Sequence, residues 1–323
     1  MDLIYTDKKR TDVNVLEDYN LDLAYGEDEN DFECKVDLNN DCCPVSSVLY
    51  IEGTEYGGII DGKRVDTEND KLVYLGRTWH GVLEGHILEP DTGADYLILN
   101  GEGNKVLETI IKRCGLEGIF QASSVKSEIT IKKYQMNRYI GAYTGIRKML
   151  YTNGGKLKMQ FSDKKVILSA VPLVDYSNDE EFDSSQFDFV VEQNQRPANH
   201  VVCLGKGDLK DREVIHLYCD TAGNISRSKT QTGENEVTIV YDCSNAESTE
   251  ELEKGGREKL EEAWEDAESC DIDFENSEDS EYDIGDIVGA REEHTGIFIA
   301  RPIKKKIVKI NKTGISVECQ IGE

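Results

Sequence analysis

Two pairs of histidine and cysteine have a spacing that could serve metal binding. His200 and Cys203 are followed by His216 and Cys219, with two residues between the members of each pair. Imidazole and thiolate are ligands of zinc, and the spacing of these residues resembles that of zinc ligands in sequence. Both pairs lie in strand-like runs, however, where positions i and i+3 point to opposite faces of a sheet. The sequence therefore favours two neighbouring strands with buried thiols over a zinc centre.

The acidic run after residue 270 has part of the pattern of a calcium loop, in Asp271, Asp273 and Glu275. Such a loop needs glycine at its sixth position and glutamate at its twelfth, where this chain has Asn276 and Tyr282. The calcium-loop pattern therefore fails. Loose binding of calcium by the acidic run stays open.

No common catalytic motif is found in the sequence. It lacks a Gly-x-Ser-x-Gly elbow, a His-Glu-x-x-His pair and a phosphate loop, and its Gly101-x-Gly103 has no third glycine. Paired carboxylates could hydrolyse glycosides, but the chain has 64 Asp and Glu, so their presence identifies no pair. We predict no catalytic, cofactor-binding or metal-binding residues, and a protein that is not an enzyme.

The charge composition argues against several classes of function. The chain has 37 basic and 64 acidic side chains, for a formal net charge of −27. Such a surface repels nucleic-acid phosphates and anionic lipid, which argues against sequence-specific nucleic-acid binding and membrane association. No uncharged apolar run reaches the roughly 20 residues that cross a bilayer, and the first ten residues do not resemble a signal peptide. The nine cysteines are therefore expected to be free thiols in a reducing compartment.

Short runs with apolar residues at every second position predict a mainly β protein of the α+β type. Clear examples are residues 156–161, 166–171, 200–204, 296–301 and 303–310.

Three helices are predicted among these strands. The first is capped by Asn104 and ends at Gly115, and the second follows a helical apolar pattern over residues 139–150. The third begins at Ser248, with Glu251 three residues later as a capping box.

Charge also varies along the chain and suggests three domains. Residues 1–100 carry a net charge of −15, residues 101–170 carry +8 and residues 171–323 carry −20. We predict a first β domain, a basic inserted α/β subdomain, and a second β domain that contains an acidic helix over residues 248–268. The acidic run is most simply a solvated face; the alternative is a contact with the basic segment of the same or a neighbouring copy. The candidates for that contact are Lys132, Lys133, Arg147, Lys148, Glu261, Glu262, Glu265 and Asp266.

Several motifs, in their order along the chain, resemble the tail hub or baseplate hub family of bacteriophages and phage-tail-like particles, in its siphovirus-type version. They are YGGIID at 56–61, GRTWHGVL at 76–83, GKGD at 205–208, VIHLY at 214–218 and YDIGDIVG at 282–289. The resemblance covers the chain from about residue 50 onward.

The resemblance implies a structural protein of the virion tail, assembled in the bacterial cytoplasm. Family hubs are trimers in which each chain contributes two related barrel-like β domains, giving a pseudo-sixfold ring. The implied partners are distal tail or tail tube proteins, the tape measure protein and a central tip or fibre protein, with DNA passing through an acidic channel. A faint repeat between residues 48–76 and 286–321 is what two related domains would require.

Under this resemblance, five residues have specific structural roles. Gly57, Gly58, Gly285 and Gly289 would serve turns or bulges where barrel strands bend, and Trp79 would pack in the core of the first barrel. Two alternatives from other classes stay open: a β-domain hydrolase that degrades cell walls, and a metal-dependent binding module.

Overall fold

The computed structural model describes the chain except for residues 178–180, 184–188, 194–195, 247, 266, 275–281 and 323. The described chain forms two compact units. Unit 1 comprises Met1–Phe182, Ile272–Gly289 and Ala300–Ile321, and unit 2 comprises Asp183–Asp271, Ala290–Ile299 and Gly322–Glu323. Strands predominate and helices are few, so the predicted mainly β class is confirmed.

The helices of the described chain are α1 (Trp79–Glu84), α2 (Gly103–Arg113), α3 (Ala142–Thr152) and α4 (Thr249–Glu265), with short 3-10 helices at Leu38–Asn40, Leu209–Asp211 and Gly233–Asn235. The strands up to residue 100 are β1 (Leu3–Thr6), β2 (Asp12–Leu16), β3 (Asn20–Gly26), β4 (Asp31–Asp37), β5 (Val48–Tyr50), β6 (Gly57–Asp66), β7 (Lys71–Thr78), β8 (Ile87–Leu88) and β9 (Ile98–Glu102). The following strands are β10 (Phe120–Ala122), β11 (Thr130–Gln135), β12 (Ile140–Gly141), β13 (Gly155–Ser162), β14 (Lys165–Pro172), β15 (Glu181–Asp183) and β16 (Phe189–Gln193). The last are β17 (His200–Leu204), β18 (Val214–Cys219), β19 (Ile225–Ser226), β20 (Thr238–Asp242), β21 (Glu268–Phe274), β22 (Ile287–Arg291), β23 (Phe298–Asn311) and β24 (Gly314–Gly322).

Strands from both ends of the chain share a large antiparallel sheet in unit 1. Nine of them follow one another in the order β24-β23-β3-β4-β7-β6-β5-β1-β2. In β3, Leu21, Leu23 and Tyr25 are buried while Asp22 between them is half-exposed. This alternation is the one that a sheet with a single buried face requires.

Helices α2 and α3 and the hairpin β13–β14 contribute to a second part of unit 1, which has an apolar core. Leu107, Ile110 and Ile146 of the helices are fully buried there. Val48 and Trp79 belong to the same core, although they precede residue 100. Residues on both sides of the expected domain boundary at position 100 therefore stabilise each other.

Helix α2 begins two residues earlier than expected, at Gly103, and its N-cap is Glu102 rather than Asn104. The Glu102 carboxylate accepts hydrogen bonds from the backbone N–H groups of Asn104 at 3.1 Å, Lys105 at 3.0 Å and Ser127 at 2.7 Å. The Asn104 side chain instead donates to the carbonyl of Val125 at 2.7 Å. Although desolvation acts to raise it, these hydrogen bonds lower the pKa of Glu102 to about 2.

We expect Glu102→Gln to lower the free energy of unfolding at pH 7 by about 1 kcal/mol, since it weakens an N-cap that also binds a neighbouring loop. The pKa of Glu102 is depressed in the folded state. Its stabilising contribution is therefore fully present above the ordinary value of 4.5 and is lost as the pH falls toward about 2. Urea unfolding at pH 7 and pH 3 measures this, and the exposed Glu117→Gln is the control. A difference from wild type that does not shrink in acid would contradict the assignment.

Three further elements differ from the sequence-based expectation. Helix α1 was not expected; it is short, and its N-cap Thr78 accepts a hydrogen bond from the N–H of Gly81 at 3.4 Å. Helix α3 starts only at Ala142, because Tyr139 has a φ of +56° and Ile140 pairs with Leu88 across β12 and β8. The two strands expected at 296–301 and 303–310 are one long strand, β23.

Unit 2 contains a four-stranded sheet in the order β19-β18-β17-β20, with α4 packed on one face. The N-terminus of α4 is capped as expected, because Ser248 Oγ accepts a hydrogen bond from the N–H of Glu251 at 3.2 Å. Gly255 and Gly256 allow α4 to approach the sheet closely, because a Cβ on Gly256 would lie 2.3 Å from Cys203 Sγ. Leu252 and Leu260 complete this small core.

The two histidine–cysteine pairs have their histidines on one face of this sheet and their cysteines on the other. Cys203 and Cys219 are buried in the core beneath α4. His200 lies on the other face of the sheet, where it is opposite Tyr218 on the neighbouring strand. The two pairs therefore do not converge on one ion, in agreement with the strand argument. Among the residues described, no helix combines the length and the apolar character needed to cross a membrane.

Candidate functional site

The glycines expected to form turns have two different roles. Gly285 lies in a turn with a φ of +100°. Gly57 and Gly58 are the first two residues of β6, and Gly289 lies within β22, so these three are in strands rather than in turns. A Cβ on Gly58 would lie 2.1 Å from the carbonyl oxygen of Arg77 and 2.8 Å from Phe32 Cε1. Glycine is needed there for close approach of β7 and the Phe32 ring.

Trp79 is buried in the core of unit 1, with 1% of its surface exposed. Its ring stacks on Phe161 with centroids 5.5 Å apart, and a Cβ on Gly57 would lie 3.1 Å from its Cζ2 atom. The indole Nε1 is buried and has no hydrogen-bond partner among the described residues. Packing alone therefore holds this side chain.

A buried ionic cluster begins at Lys156, on β13. Its ammonium group donates to Asp286 Oδ2 at 2.5 Å and to Asp283 Oδ2 at 2.9 Å. Asp286 is completely buried, and its other carboxylate oxygen accepts from the N–H of Val174 at 2.8 Å. Desolvation opposes both of the following pKa shifts. The attraction between the Lys156 ammonium group and the two carboxylates raises the pKa of Lys156. The positive charges of Lys306 and Lys156 lower the pKa of Asp283.

The cluster continues through Lys306 of β23, which is 2% exposed. Its Nζ lies 3.3 Å from Glu55 Oε1 and 3.9 Å from Asp283 Oδ1. Glu55 also accepts a hydrogen bond from the hydroxyl of Tyr25 at 2.5 Å. Although burial alone would lower it, the carboxylates of Glu55 and Asp283 raise the pKa of Lys306 above its ordinary value.

His80 of α1 completes the cluster as a neutral residue. Its ring stacks on Tyr25 with centroids 4.4 Å apart, and its Nε2 lies 3.8 Å from Glu55 Oε2. Burial lowers the pKa of His80 to about 4 even though Glu55 opposes the shift. With His80 uncharged at neutral pH, three carboxylates face two ammonium groups.

This cluster connects distant segments of the chain. Lys156 and Asp286 are 130 residues apart in sequence, and Lys306 and Glu55 are 251 residues apart. The two ammonium groups occupy the space between the carboxylates, which a cation would otherwise need. Within the described ranges, no group of three or more His, Cys, Asp or Glu side chains is placed to hold a metal ion.

Comparison with solved structures gives whole-length matches. They include prophage tail protein gp18 from Listeria monocytogenes EGD-e, at 15% identity and a TM-score of 0.56, over 100% of this chain and 94% of that one. A tail protein from Neisseria meningitidis MC58 matches at 11% identity and a TM-score of 0.55, over 100% and 96% of the chains. The 43 kDa tail protein of prophage MuSo2 from Shewanella oneidensis matches at 9% identity and a TM-score of 0.59, over 99% of this chain and 98% of that one.

This chain has a phage tail-protein fold. No protein-family model and no curated protein sequence matches it, so the likeness is one of structure at low sequence identity. The tail-protein fold agrees with the sequence resemblance, which was based on short motifs distributed along most of the chain.

The charged residues singled out in the sequence lie on both units of the tail-protein fold. In unit 1, Lys132 and Lys133 are exposed on β11 and Lys148 is exposed on α3, whereas Arg147 is half-buried over the Tyr143 ring. In unit 2, Glu261 and Glu262 are exposed on α4, and Glu262 forms an ion pair with Lys259. The Glu265 side chain and Asp266 lie outside the described residues.

Proposed function

We propose that the chain is a structural tail hub. Three copies would form a pseudo-sixfold ring at the distal end of a phage or phage-like tail, joining the tail tube and distal tail ring to the tip or central fibre. The observation that carries this proposal is the match of the whole chain to tail proteins, each covered over at least 94% of its own length. Such coverage supports a structural rather than an enzymatic role.

The proposed role includes specific neighbours and a location. The hub would contact distal tail or tail tube proteins, the tape measure protein and a central tip or fibre protein, within the virion tail. The net charge of −27 supports an acidic channel through which DNA passes without adhering. The three-domain division at residues 100 and 170, with two related barrel-like domains, is part of the same proposal.

The experiment that tests the hub is the absolute mass of the full chain in solution by light scattering, across protein concentration and salt. A mass of three chains, followed by ring-shaped particles in electron microscopy, is the expected result. Peptidoglycan turnover is assayed on the same preparation. A monomer at every concentration that also degrades peptidoglycan would replace the hub by the hydrolase alternative.

We further propose that the basic residues of unit 1 contact the acidic side of α4 in a neighbouring copy. The double variant Lys132→Glu/Lys133→Glu is then expected to weaken trimerisation about fivefold or more at low salt, and to lessen its salt dependence. Sedimentation at 50 and 500 mM salt measures both effects.

A matched control is available in another adjacent pair of exposed lysines, Lys8→Glu/Lys9→Glu, which changes the charge by the same amount. Adding Glu261→Lys/Glu262→Lys to the first variant should restore assembly. Equal weakening by the control pair, or no rescue by the second reversal, would show that the contact is not the proposed one.

A further inference from the structure

Two histidines of unit 2 face each other across neighbouring strands. His200 on β17 and His216 on β18 lie on the same face of the sheet, because the register pairs His200 with Tyr218 and Val202 with His216. His200 Nε2 and His216 Nδ1 are 2.9 Å apart. The imidazole rings lie 5.2 Å apart at an interplanar angle of 23°. Two ring nitrogens therefore point at the same small volume.

The surroundings of His200 fix which of its nitrogens has a free lone pair. Its Nδ1 lies 3.0 Å from Glu236 Oε1 and 2.8 Å from Thr238 Oγ1. An ionised carboxylate only accepts hydrogen bonds, so Nδ1 carries the proton. The Nε2 atom is then unprotonated and directed toward His216. A carboxylate that holds the far nitrogen of a histidine is the arrangement that orients metal-binding imidazoles.

We propose that His200 and His216 together bind one divalent transition-metal ion of the class that prefers imidazole, such as Ni²⁺, Cu²⁺ or Zn²⁺. In the metal-free protein His216 Nδ1 donates its proton to His200 Nε2. Binding moves that proton, by way of solvent, from Nδ1 to the outer Nε2 of His216, and places the ion between His216 Nδ1 and His200 Nε2, with water completing the coordination.

The required movement is small, and the two rings differ in freedom. Nitrogens bound at 2.0–2.1 Å to a tetrahedral ion are about 3.3 Å apart, which is slightly more than the observed 2.9 Å. His200 is buried and stacked on Tyr218 with centroids 4.4 Å apart, so its position is fixed. His216 is exposed and can move outward to make room.

The ligand set explains the choice of ion. Cys203 and Cys219 are buried beneath α4 on the other face, so no thiolate contributes to the site. Imidazole without thiolate suits nickel, copper and zinc rather than calcium or magnesium. Lys229 pairs with Glu236 at 2.6 Å and offsets part of its negative charge, so the two nitrogens, rather than local charge, provide the affinity.

The test is a calorimetric titration of the full chain with Ni²⁺ after removal of metal by a chelator, under reducing conditions. We expect one ion per chain and no net release of a proton, so that the heat of binding does not depend on the buffer. His216→Gln should weaken this binding at least tenfold, and because His216 is exposed this variant should fold.

The control His294→Gln removes another exposed histidine that lies within 3.0 Å of a glutamate but far along the chain from this pair. It should bind Ni²⁺ as wild type does. The proposal is overturned if wild type takes up no ion at 1 mM Ni²⁺, or if His216→Gln binds as tightly as wild type, which would place the ion on the cysteines or on the acidic surface.

Discussion

Replacing Lys306 by methionine should lower the free energy of unfolding of unit 1 by about 3–5 kcal/mol. Methionine preserves most of the volume of the side chain, so the loss is electrostatic. It leaves Glu55 and Asp283, whose side chains are 19% and 29% exposed, without the ammonium group that lies between them. Removing one partner of a buried ion pair is costly because the remaining charge stays desolvated.

The measurement needs a signal from unit 1 alone. The chain has two tryptophans, so in a Trp264→Phe background the fluorescence of Trp79 follows unit 1 during urea unfolding. Lys309→Met is the matched control, because this lysine lies on the same strand, is 54% exposed and pairs with Glu318 at 3.9 Å. It should cost less than about 1 kcal/mol. Equal losses for the two lysines would show that the buried cluster contributes no special stability.

The second large effect is expected for Trp79→Ala, with a loss of about 3–5 kcal/mol in the free energy of unfolding. The change removes a fully buried ring and leaves a cavity between Phe161 and the glycine at position 57 of β6. That glycine cannot refill the space, since it has no side chain. Calorimetric melting of the full chain should show a lowered transition for unit 1.

Trp79→Phe separates packing from polarity in the same experiment. It keeps an aromatic ring against Phe161 and removes the indole N–H, which is buried without a partner among the described residues. An unsatisfied buried donor is costly, so its removal offsets part of the lost volume. We expect this variant to lose less than half as much as Trp79→Ala. A larger loss would mean that the N–H is satisfied in solution.

The strands could be predicted because their pattern is local. β13 and β14 cover residues 155–162 and 165–172, within one residue of the positions expected from alternation. Long helices followed from their apolar periodicity in the same way. Helix α1 has only six residues, fewer than two turns, and so shows no periodicity to detect. The split predicted within β23 arose at Pro302, which interrupts the pattern without ending the strand.

Caps and close approaches depend on atoms that are distant in sequence. Asn104 is a good N-cap residue in isolation, yet its side chain is used by Val125 and Ala170 instead, and Glu102 caps the helix. In the same way, the glycine pair at 57 and 58 reads as a turn in sequence, although it lies in a strand where a Cβ would meet neighbouring backbone.

The buried ionic cluster was not predicted, although the sequence contains one indication of it. Lys306 occupies an inward position of an alternating strand, in line with Val308 and Ile310, where an apolar residue is expected. A lysine at such a position indicates a buried carboxylate partner. Lys156 gives no such signal, because it is in line with the exposed Lys158 and Gln160. The identity of the partner could not be predicted, because Asp286 and Glu55 come from segments that no local pattern connects to these lysines.

The discontinuous composition of unit 1 has a consequence for synthesis on the ribosome. The first 182 residues cannot complete their fold until residues 272–289 and 300–321 have been translated, because those segments carry Asp283, Asp286 and Lys306. A nascent chain that stops before them holds Lys156 and Glu55 without their buried partners. Contacts of such long sequence separation form late in folding. A chain interrupted before residue 272 therefore lacks the ion pairs of Asp283, Asp286 and Lys306 that connect the segments of unit 1.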